Sequence, residues 1–493
     1  MMVTPEGWEA VIGLEIHVQL NTATKMFCGC PVSFGDVPNT NVCPLCLGHP
    51  GTLPAMNEKA IEYATRIGLA LNCTISPHSI FHRKNYFYPD LPKGYQISQY
   101  DLPLAVDGHL DVELEDGSIL RVGVTRAHLE DDAAKLVHAG GVDGRIAGAD
   151  YSMVDFNRGG TPLVEIVSEP EIHTPEQARA YLTQLKSLLE ALEVSDVNME
   201  EGSLRCDANI SVHRPGTPFG TRTELKNMNS FRFLQRGLEA EIERQISALE
   251  RGEEIVQETV HFDTGSGKVS TLRSKEEAHD YRYFPEPDMV PIELSAEYVE
   301  KVRAGLPELP AARKERYMRD YGLSPYDAGV LSANRPLAAF FERLSTQTGE
   351  AKLAANWVMG DFSGYLNAQG LEVKDSAVSV EALAELLGLL AAGTLSGKMA
   401  KDVFAAMVET GKGAPELVAE RGLGQISDTG ELETMVSELI AANPGPAEEY
   451  RQGRDRVLGF FVGQIMKQTR GQANPQLLNE LLRKALAGSS PDN

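Results

Sequence analysis

Two closely spaced cysteine pairs form the first group of residues with an evident chemical use. One residue separates Cys28 from Cys30, two separate Cys43 from Cys46, and twelve lie between the pairs. Each pair brings two thiolates to one point without a long ordered segment, which suits tetrahedral Zn²⁺. Four sulfur ligands leave no open coordination position, so we predict a structural zinc site at residues 28–46. Four unligated thiols are the alternative, and the paired spacing argues against it.

Polar side chains on one face of several predicted strands form the second group. Segments 11–20 and 204–213 alternate between apolar and polar residues, and segments 122–130 and 221–227 do so over shorter stretches. Alternation predicts strands with one packed and one open face. The acids and the histidine that could converge on the open faces are Glu15, His17, Glu130, Asp131, Asp207 and Glu224. Carboxylates with one imidazole suit a hard cation such as Mg²⁺, although a solvated face is the simpler interpretation for any one of them.

Segment 81–101 mixes rings with basic groups, and it holds six of the 33 aromatic residues of the chain. This mixture suits a ligand that is anionic and planar, because cations pair with phosphate while rings stack on bases. An aromatic-rich satellite core is the alternative. The basic residues that could neutralise a nucleotide, from this segment and the predicted strands, are Arg83, Lys84, Arg205 and Lys226.

Length and composition indicate a globular chain of several domains. It has 493 residues, of which 42% are hydrophobic and 24% are charged, and cores rarely grow beyond about 250–300 residues. We find no apolar run of about 20 residues and no secretory signal, which predicts a cytoplasmic location. The net charge of −24 argues against broad nonspecific binding of nucleic acid. Segment 451–484 is an exception, with seven basic residues against two acidic ones.

The elements that must position these groups change along the chain. Strand patterns dominate the first half, interrupted by helical stripes after Thr174 and after Phe233, and helical periodicity dominates from about residue 295. The sequence therefore predicts an α+β fold with a mixed or antiparallel sheet, followed by helices with a break near residue 400. Gly265–Lys268 superficially matches part of a phosphate loop, but residues 262 and 269 are Phe and Val, so the motif fails.

These residues together resemble the B subunit of the aspartyl/glutamyl-tRNA amidotransferase family. The matching segments are VIGLEIHVQL (11–20), NVCPLCLGHPGTLP (41–54), RKNYFYPDLPKGYQISQYD (83–101), TRAHLEDDAAK (125–135), DFNRGGTPLVEIVSEP (155–170), EEGSLRCDANIS (200–211), TELKNMNSF (223–231) and DYRYFPEPD (280–288). The later segment VGQIMKQTRGQANPQLLNELL resembles a small YqeY-type tail domain.

The resemblance implies a fold, a reaction and partners. The fold would be a cradle-shaped catalytic domain at 1–294, a helical linker domain at 295–400 and a YqeY-type tail at 401–493. ATP would phosphorylate the side-chain carboxylate of Glu-tRNA(Gln) or Asp-tRNA(Asn), and ammonia would then displace the phosphate. The ammonia would come from glutamine through an amidase partner, the A subunit. The small C subunit, the misacylated tRNA and the matching aminoacyl-tRNA synthetase are the other implied partners.

The resemblance also assigns site residues. The catalytic metal-binding cradle maps onto Glu15, His17, Glu130 and Glu224, with Asp131 beside it and Mg²⁺ as the ion. Many relatives read HLEED where this chain reads HLEDD at 128–132, so a shorter acid stands at residue 131. Further nucleotide or aminoacyl contacts map onto Lys84, Tyr86, Tyr88 and Lys226. The basic residues that would bind the tRNA backbone are Arg451, Arg454, Arg456, Lys467 and Arg470.

Two other functions compete with this one. A zinc-stapled scaffold could bind tRNA while the chemistry occurs elsewhere in the complex. Such a scaffold would not need the four cradle residues to converge, which are Glu15, His17, Glu130 and Glu224. A free-standing ATP-grasp-like ligase is the second competitor, and the absent phosphate loop argues against it.

Overall fold

The computed structural model describes residues 7–140, 149–274, 281–422, 429–469 and 473–487. Its internal contacts divide the chain into two compact units, Met1–Pro310 and Ala311–Asn493. Within the described residues, no helix is both long enough and apolar enough to cross a membrane. Arg470, one of the candidate tRNA contacts, lies outside the described residues.

The first unit contains all the strands of the described structure. They are β1 (Glu9–Gln19), β2 (Thr74–Ile75), β3 (His78–Ser79), β4 (His82–Asn85), β5 (Tyr95–Ser98), β6 (Ala105–Glu113), β7 (Ile119–Asp131), β8 (Lys135–Ala139), β9 (Tyr151–Asp155), β10 (Pro162–Ser168), β11 (Leu204–His213), β12 (Thr223–Met228), β13 (Glu258–Asp263), β14 (Lys268–Ser274), β15 (Phe284–Pro285) and β16 (Ile292–Glu293). Its helices are α1 (Glu58–Ala70), α2 (Pro175–Leu192), α3 (Phe231–Glu250) and α4 (Ala296–Ala304).

Nine of the strands form one sheet in the order β14-β13-β12-β11-β1-β10-β7-β6-β2. Its neighbours are antiparallel except for β12 and β13, which pair in parallel. The predicted mixed sheet is therefore confirmed. Smaller sheets pair β15, β4 and β5, then β16 and β3, then β8 and β9. Segment 81–101 contributes β4 and β5, which are joined by the loop 86–94.

One face of the large sheet is buried beneath helices, which leaves the other face to carry polar groups. On β1, Ile12, Leu14, Ile16 and Val18 are fully buried in the core of the first unit. Helix α3 packs on β11 and β12, and α2 packs on β6 and on α3. Helix α2 begins as its sequence predicts, because the side chain of Thr174 caps it. The buried face fixes the register of β1, so Glu15 and His17 lie on the opposite face.

The second unit is helical, as the periodicity predicts. Its helices are α5 (Pro310–Tyr321), α6 (Pro325–Ala333), α7 (Arg335–Thr348), α8 (Ala351–Trp357), α9 (Ser363–Gln369), α10 (Val380–Ala391), α11 (Gly397–Thr410), α12 (Ala414–Arg421), α13 (Thr429–Ala442), α14 (Pro444–Arg451), α15 (Leu458–Gln468) and α16 (Pro475–Ala487). One hydrophobic core extends from Tyr317 to Leu417, and a separate core extends from Leu432 to Leu486. A break is expected near residue 400, but helix α11 spans that position, and both α11 and α12 belong to the core that ends at Leu417.

Candidate active site

The centre of the sheet carries a row of four charged or titratable side chains on neighbouring strands. His17 on β1 lies opposite Glu165 on β10 and opposite Arg205 on β11, and Glu165 in turn lies opposite His128 on β7. Directly opposed residues of antiparallel strands project from the same face. Glu130 follows His128 by two residues on β7 and therefore joins the same face.

His17, Glu130 and Glu165 come close enough to share one metal ion, and we call these three residues the His–Glu–Glu group. Their ligand atoms lie within 4.8 Å of one another. His17 Nε2 is 3.3 Å from Glu165 Oε2 and 3.7 Å from Glu130 Oε1. The two carboxylates are hard donors of the kind that Mg²⁺ and Mn²⁺ accept, and the imidazole adds a borderline nitrogen donor. The arrangement therefore fits a divalent cation that binds phosphate oxygens.

The charges in this group follow from its neighbours. Burial alone would raise the pKa of Glu165, but His128, His17 and Lys84 outweigh it and lower that pKa. Burial likewise opposes ionisation of Glu130, and the hydrogen bond with His128 and the charge of Lys84 lower its pKa. Burial would lower the pKa of His17, yet Glu165 and Glu130 raise it. Both carboxylates are thus ionised at neutral pH, as metal ligands must be.

Glu165 is a site residue that the sequence patterns did not predict. The strand Pro162–Ser168 reads PLVEIVS and looks like a buried apolar strand rather than an alternating one. It is paired on both sides, by β1 and by β7, so neither edge is open. A single carboxylate inside an apolar strand was the available signal, because a buried charge requires partners.

Glu15 and Glu224 lie on the same face but are already engaged by neighbours. Asn209 Nδ2 donates to Glu15 Oε1 at 2.8 Å, and Thr259 Oγ1 donates to Glu224 Oε2 at 3.0 Å. Burial and the charges of Glu165 and Glu224 raise the pKa of Glu15, which places it in an anionic neighbourhood. In the described part of the chain, neither residue belongs to a group of three with metal-ligating spacing.

Lys226 forms ion pairs with two acids of this face, Glu224 and Asp207. Its Nζ is 2.9 Å from Glu224 Oε1 and 3.0 Å from Asp207 Oδ2. Burial would lower the pKa of Lys226, but these carboxylates raise it. Lys226 is therefore a cation that neutralises the β11–β12 side of the face.

Asp131 points away from the His–Glu–Glu group. Its carboxylate pairs with the ammonium of Lys93 and accepts the backbone N–H of Ile97 at 2.8 Å. Alternation along β7 puts residues 130 and 131 on opposite sides, which explains the separation. Burial raises the pKa of Asp131. Asp131, the shorter acid of the HLEDD segment, thus fixes the position of β5 and of the Lys93 side chain.

Arg205 is held by an acid that the sequence patterns did not predict as a site residue. Its Nη2 lies 2.8 Å from Asp132 Oδ2, to which Gln19 Nε2 also donates at 2.7 Å. Burial opposes ionisation of Asp132, but Arg205 and Arg158 lower its pKa. The ion pair with Asp132 therefore holds Arg205 in place at one end of the row of four side chains, next to His17.

The two adjacent cations of β4 have different surroundings. Arg83 donates twice to Glu286, at 2.7 Å each, and also pairs with Asp288 at 3.2 Å. Lys84 has no carboxylate at ion-pair distance in the parts of the chain that the structure describes. Its Nζ lies 4.9 Å from the ring centre of Tyr281 and 6.0 Å from that of Tyr86. Burial would lower the pKa of Lys84, and Glu130 together with Glu165 raises it.

The candidate ring contacts differ in exposure. Tyr86 is half-buried, and its ring meets that of Tyr281 edge to face at 5.9 Å. Tyr88 is exposed, as is the neighbouring Phe87. Tyr86 therefore packs beside Tyr281 and Lys84 at the start of the loop 86–94, whereas Tyr88 is exposed farther along the same loop.

The four paired cysteines cluster as their spacing predicts. Their sulfur atoms all lie within 4.8 Å of one another, and Cys43 Sγ is 3.8 Å from Cys46 Sγ. A tetrahedral ion with Zn–S bonds of about 2.3 Å separates its sulfurs by about 3.8 Å. The hydrogen bond with Cys28 and the charge of Lys25 lower the pKa of Cys46. The cluster can hold a metal ion.

The basic residues near the end of the chain are partly neutralised. Arg451 Nη1 lies 3.3 Å from Glu448, and its Nε donates to the carbonyl of Leu486 at 3.2 Å. Arg454 pairs with Glu449 at 3.2 Å. Arg456 and Lys467 form no ion pair within the described residues.

Comparisons with known proteins give a consistent result over both units. A family described as GatB/GatE catalytic domain matches residues 10–300, and a family described as GatB domain matches residues 339–486. The chain is similar to proteins named as the B subunit of aspartyl/glutamyl-tRNA(Asn/Gln) amidotransferase. One from Moorella thermoacetica is 55% identical over 480 residues, which cover 97% of this chain and 100% of the relative. Another, from Carboxydothermus hydrogenoformans, is 54% identical over 481 residues, covering 97% and 99%.

Proposed function

The chain belongs to the family of aspartyl/glutamyl-tRNA(Asn/Gln) amidotransferase B subunits, and from this premise we propose that it catalyses ATP-dependent amidation of misacylated tRNA. The γ-phosphoryl group of ATP passes to the side-chain carboxylate of Glu-tRNA(Gln) or Asp-tRNA(Asn), which gives an acyl phosphate and ADP. Ammonia then attacks the carbonyl carbon and expels phosphate, which leaves the amide on the tRNA.

The His–Glu–Glu group is the observation that carries this proposal. Its donor set fits Mg²⁺, which when bound would neutralise charge on the transferring phosphoryl group. The residues of the chain set up this site. Ser98 Oγ donates to Glu130 Oε2 at 3.2 Å, and Arg126 Nη2 lies 3.7 Å from Glu165 Oε1, so both carboxylates are held in position.

Lys84 is the cation that we assign to the reacting groups. The charges of Glu130 and Glu165 act on its ammonium, and no carboxylate of the described chain lies at ion-pair distance from it, so it is available to a phosphate or to the substrate carboxylate. Glu15, Glu224 and Lys226 flank the His–Glu–Glu group, and we propose that they shape the phosphate environment. Arg83 and Arg205, which are bound to Glu286 and Asp132, act as positioning groups.

The remaining parts of the proposal follow from the family. Zn²⁺ in the cluster of four cysteines would hold the 28–46 segment and take no part in the chemistry. The amidase, or A, subunit would supply ammonia from glutamine, and the small C subunit would complete the complex. Domains at 1–294, 295–400 and 401–493 would serve catalysis, linkage and tRNA binding. Because the substrates belong to protein synthesis, we propose a cytoplasmic location.

The test is amide formation by the chain given misacylated tRNA, ATP, Mg²⁺ and ammonium chloride, with glutamine withheld. Ammonium replaces the glutaminase partner, and the partner subunits are added if the chain alone is silent. We expect Glu130→Gln to lower the amidation rate by at least about 100-fold, because it removes one metal-ligating charge of the site. Binding of the tRNA should change little.

Glu300→Gln is the matched control, since it makes the same exchange at an exposed carboxylate of α4. It should amidate like the wild type. Amidation by Glu130→Gln at the wild-type rate would contradict the proposed site. Equal loss of amidation and tRNA binding in Glu130→Gln would favour the tRNA-binding scaffold.

A further inference from the structure

Four tyrosines form a continuous series of ring contacts beside Lys84, which we call the tyrosine ladder. Tyr86 meets Tyr281 at 5.9 Å between ring centres, and Tyr281 meets Tyr283 at 6.0 Å, both edge to face. Tyr283 then stacks on Tyr100 at 4.4 Å with an interplanar angle of 9°. Segment 81–101 supplies two of the rings, and segment 281–283 supplies the other two.

The tyrosine ladder is not part of the hydrophobic core. Phe81 of the same region belongs to that core and Tyr95 packs against it, whereas none of the four ladder residues does either. Tyr100, at the outer end, is 59% exposed. Tyr283 covers one face of the Tyr100 ring, and His82 meets that ring at 6.1 Å between centres with an interplanar angle of 78°, so the part of Tyr100 that stays exposed is accessible to a ligand. The exposure of Tyr100 therefore argues against a satellite core and leaves a flat apolar surface for a ligand.

The backbone that presents the ladder is strained and firmly held. Arg282, between the two tyrosines, has φ of +45°, a left-handed conformation that non-glycine residues rarely adopt. Asn85 fixes it, because its backbone N–H donates to the carbonyl of Tyr281 at 2.9 Å and its Nδ2 donates to the carbonyl of Arg282 at 2.8 Å. Strain that neighbours maintain is typical of functional segments.

The inner end of the ladder reaches the candidate active site. Lys84 Nζ lies 4.9 Å from the ring centre of Tyr281. Lys84 Nζ also lies 6.0 Å from the ring centre of Tyr86, the first ring of the ladder. A planar ligand on the ladder would have its attached anionic group directed toward Lys84.

We propose that the tyrosine ladder binds an adenine base whose attached group enters the site at Lys84. This inference rests on the proposed function, in which two substrates carry adenine: ATP and the 3′-terminal adenosine of aminoacyl-tRNA. Aromatic faces bind bases without needing sequence-specific hydrogen bonds. The tyrosine ladder thus supplies stacking and Lys84 supplies charge, the two features that the composition of segment 81–101 predicts.

The test compares two affinities in variants of the full chain. Tyr100→Leu removes the open ring, and Tyr283→Leu removes the ring beneath it. One measurement is the Kd of ATP with Mg²⁺, by calorimetry. The other is the ratio of Kd values for tRNA without and with its terminal adenosine, by fluorescence anisotropy. Loss of one stacked base should weaken binding about 5- to 150-fold. Tyr100→Phe, which keeps the ring, should lose less than Tyr100→Leu.

The outcomes separate the two sources of adenine. A higher Kd for ATP assigns the ladder to the nucleotide, whereas a collapse of the tRNA ratio toward one assigns it to the tRNA end. Tyr326→Leu, at a 77% exposed tyrosine of α6, is the matched control. Wild-type values for both affinities in folded Tyr100→Leu and Tyr283→Leu would overturn the inference. If these variants have wild-type affinities and also amidate tRNA at the wild-type rate, the inference about the ladder fails while the proposed function stands. Failure of the inference can therefore be told apart from failure of the proposed function.

Discussion

Glu165 and Glu130 are nearly buried carboxylates that stay ionised because cations and hydrogen-bond donors surround them. A buried carboxylate without partners would take up a proton. Here His128 and Lys84 lower the pKa of both, and His17 contributes to each. The charge of the candidate metal site therefore depends on these three basic side chains as much as on the carboxylates themselves.

His17 gives a prediction about pH. Glu165 and Glu130 raise its pKa above 6.5 in the folded chain. Its imidazolium therefore stabilises the fold fully below pH 6.5, and that contribution disappears as the pH rises through the raised pKa. In buffer without Mg²⁺, we expect the Tm difference between wild type and His17→Asn to shrink as the pH increases from about 6 to 9.

A metal ion should reverse this trend, because it binds the neutral imidazole and competes with the proton. Stabilisation of the wild type by added Mn²⁺ should therefore grow with pH over the same range. Scanning calorimetry measures both effects. Parallel pH curves for wild type and His17→Asn, with and without Mn²⁺, would contradict the charge assignment of the His–Glu–Glu group.

At the scale of elements, alternation identified strands that are exposed on one face. From sequence alone, alternation predicted that Glu15 and His17 lie on the polar face of β1. It also predicted that Arg205 and Asp207 lie on the polar face of β11. The same rule separates Asp131 from Glu130, which lie on opposite sides of β7. It could not identify Glu165, because β10 is a central strand whose sequence is mostly apolar. Periodicity within one segment cannot predict a contact with a residue far away in the sequence, such as that of Tyr100 with Tyr283.

A buried carboxylate on helix α3, that of Glu241, connects this helix to the strands on the β11–β14 side of the sheet. Glu241 is fully buried and accepts from Thr223 at 2.7 Å and from Gln245 at 2.8 Å. Arg244 donates to Glu241 at 2.8 and 2.9 Å and also contacts Glu258 at 3.1 Å. This network ties β12 and β13 to the helix, and β12 carries Glu224 and Lys226.

Removing Glu241 should be costly. In Glu241→Ala, the buried donors of Thr223 and Gln245 and the partly exposed guanidinium of Arg244 lose a shared acceptor, so we expect destabilisation by about 3–5 kcal/mol. Urea unfolding at neutral pH measures it. Glu243→Ala, at an exposed position of the same helix, should stay within about 0.5 kcal/mol of wild type. Equal effects of the two substitutions would show that the network contributes no net stability.

At the scale of the whole molecule, a chain of net charge −24 is proposed to bind an anionic polymer. Long-range attraction cannot supply this affinity, because the overall field repels tRNA. Binding must therefore depend on local cations that are free of acidic partners. Arg451 and Arg454 are paired with Glu448 and Glu449, which leaves Arg456 and Lys467 as the stronger of the four described residues that the resemblance assigns to tRNA.

Salt dependence tests this distinction. If Arg456 and Lys467 each contact a phosphate, replacing both with Ala should weaken tRNA binding and lower the slope of log Kd against log salt by about 1.4–1.8. Arg451→Ala with Arg454→Ala should change the slope less, because Glu448 and Glu449 already neutralise those charges. Lys374→Ala, at a 74% exposed lysine of the second unit, is the control. Fluorescence anisotropy between about 50 and 200 mM salt measures the slopes. A slope for Arg456→Ala with Lys467→Ala equal to that of wild type would exclude these residues as phosphate contacts and would point to other cations of the chain.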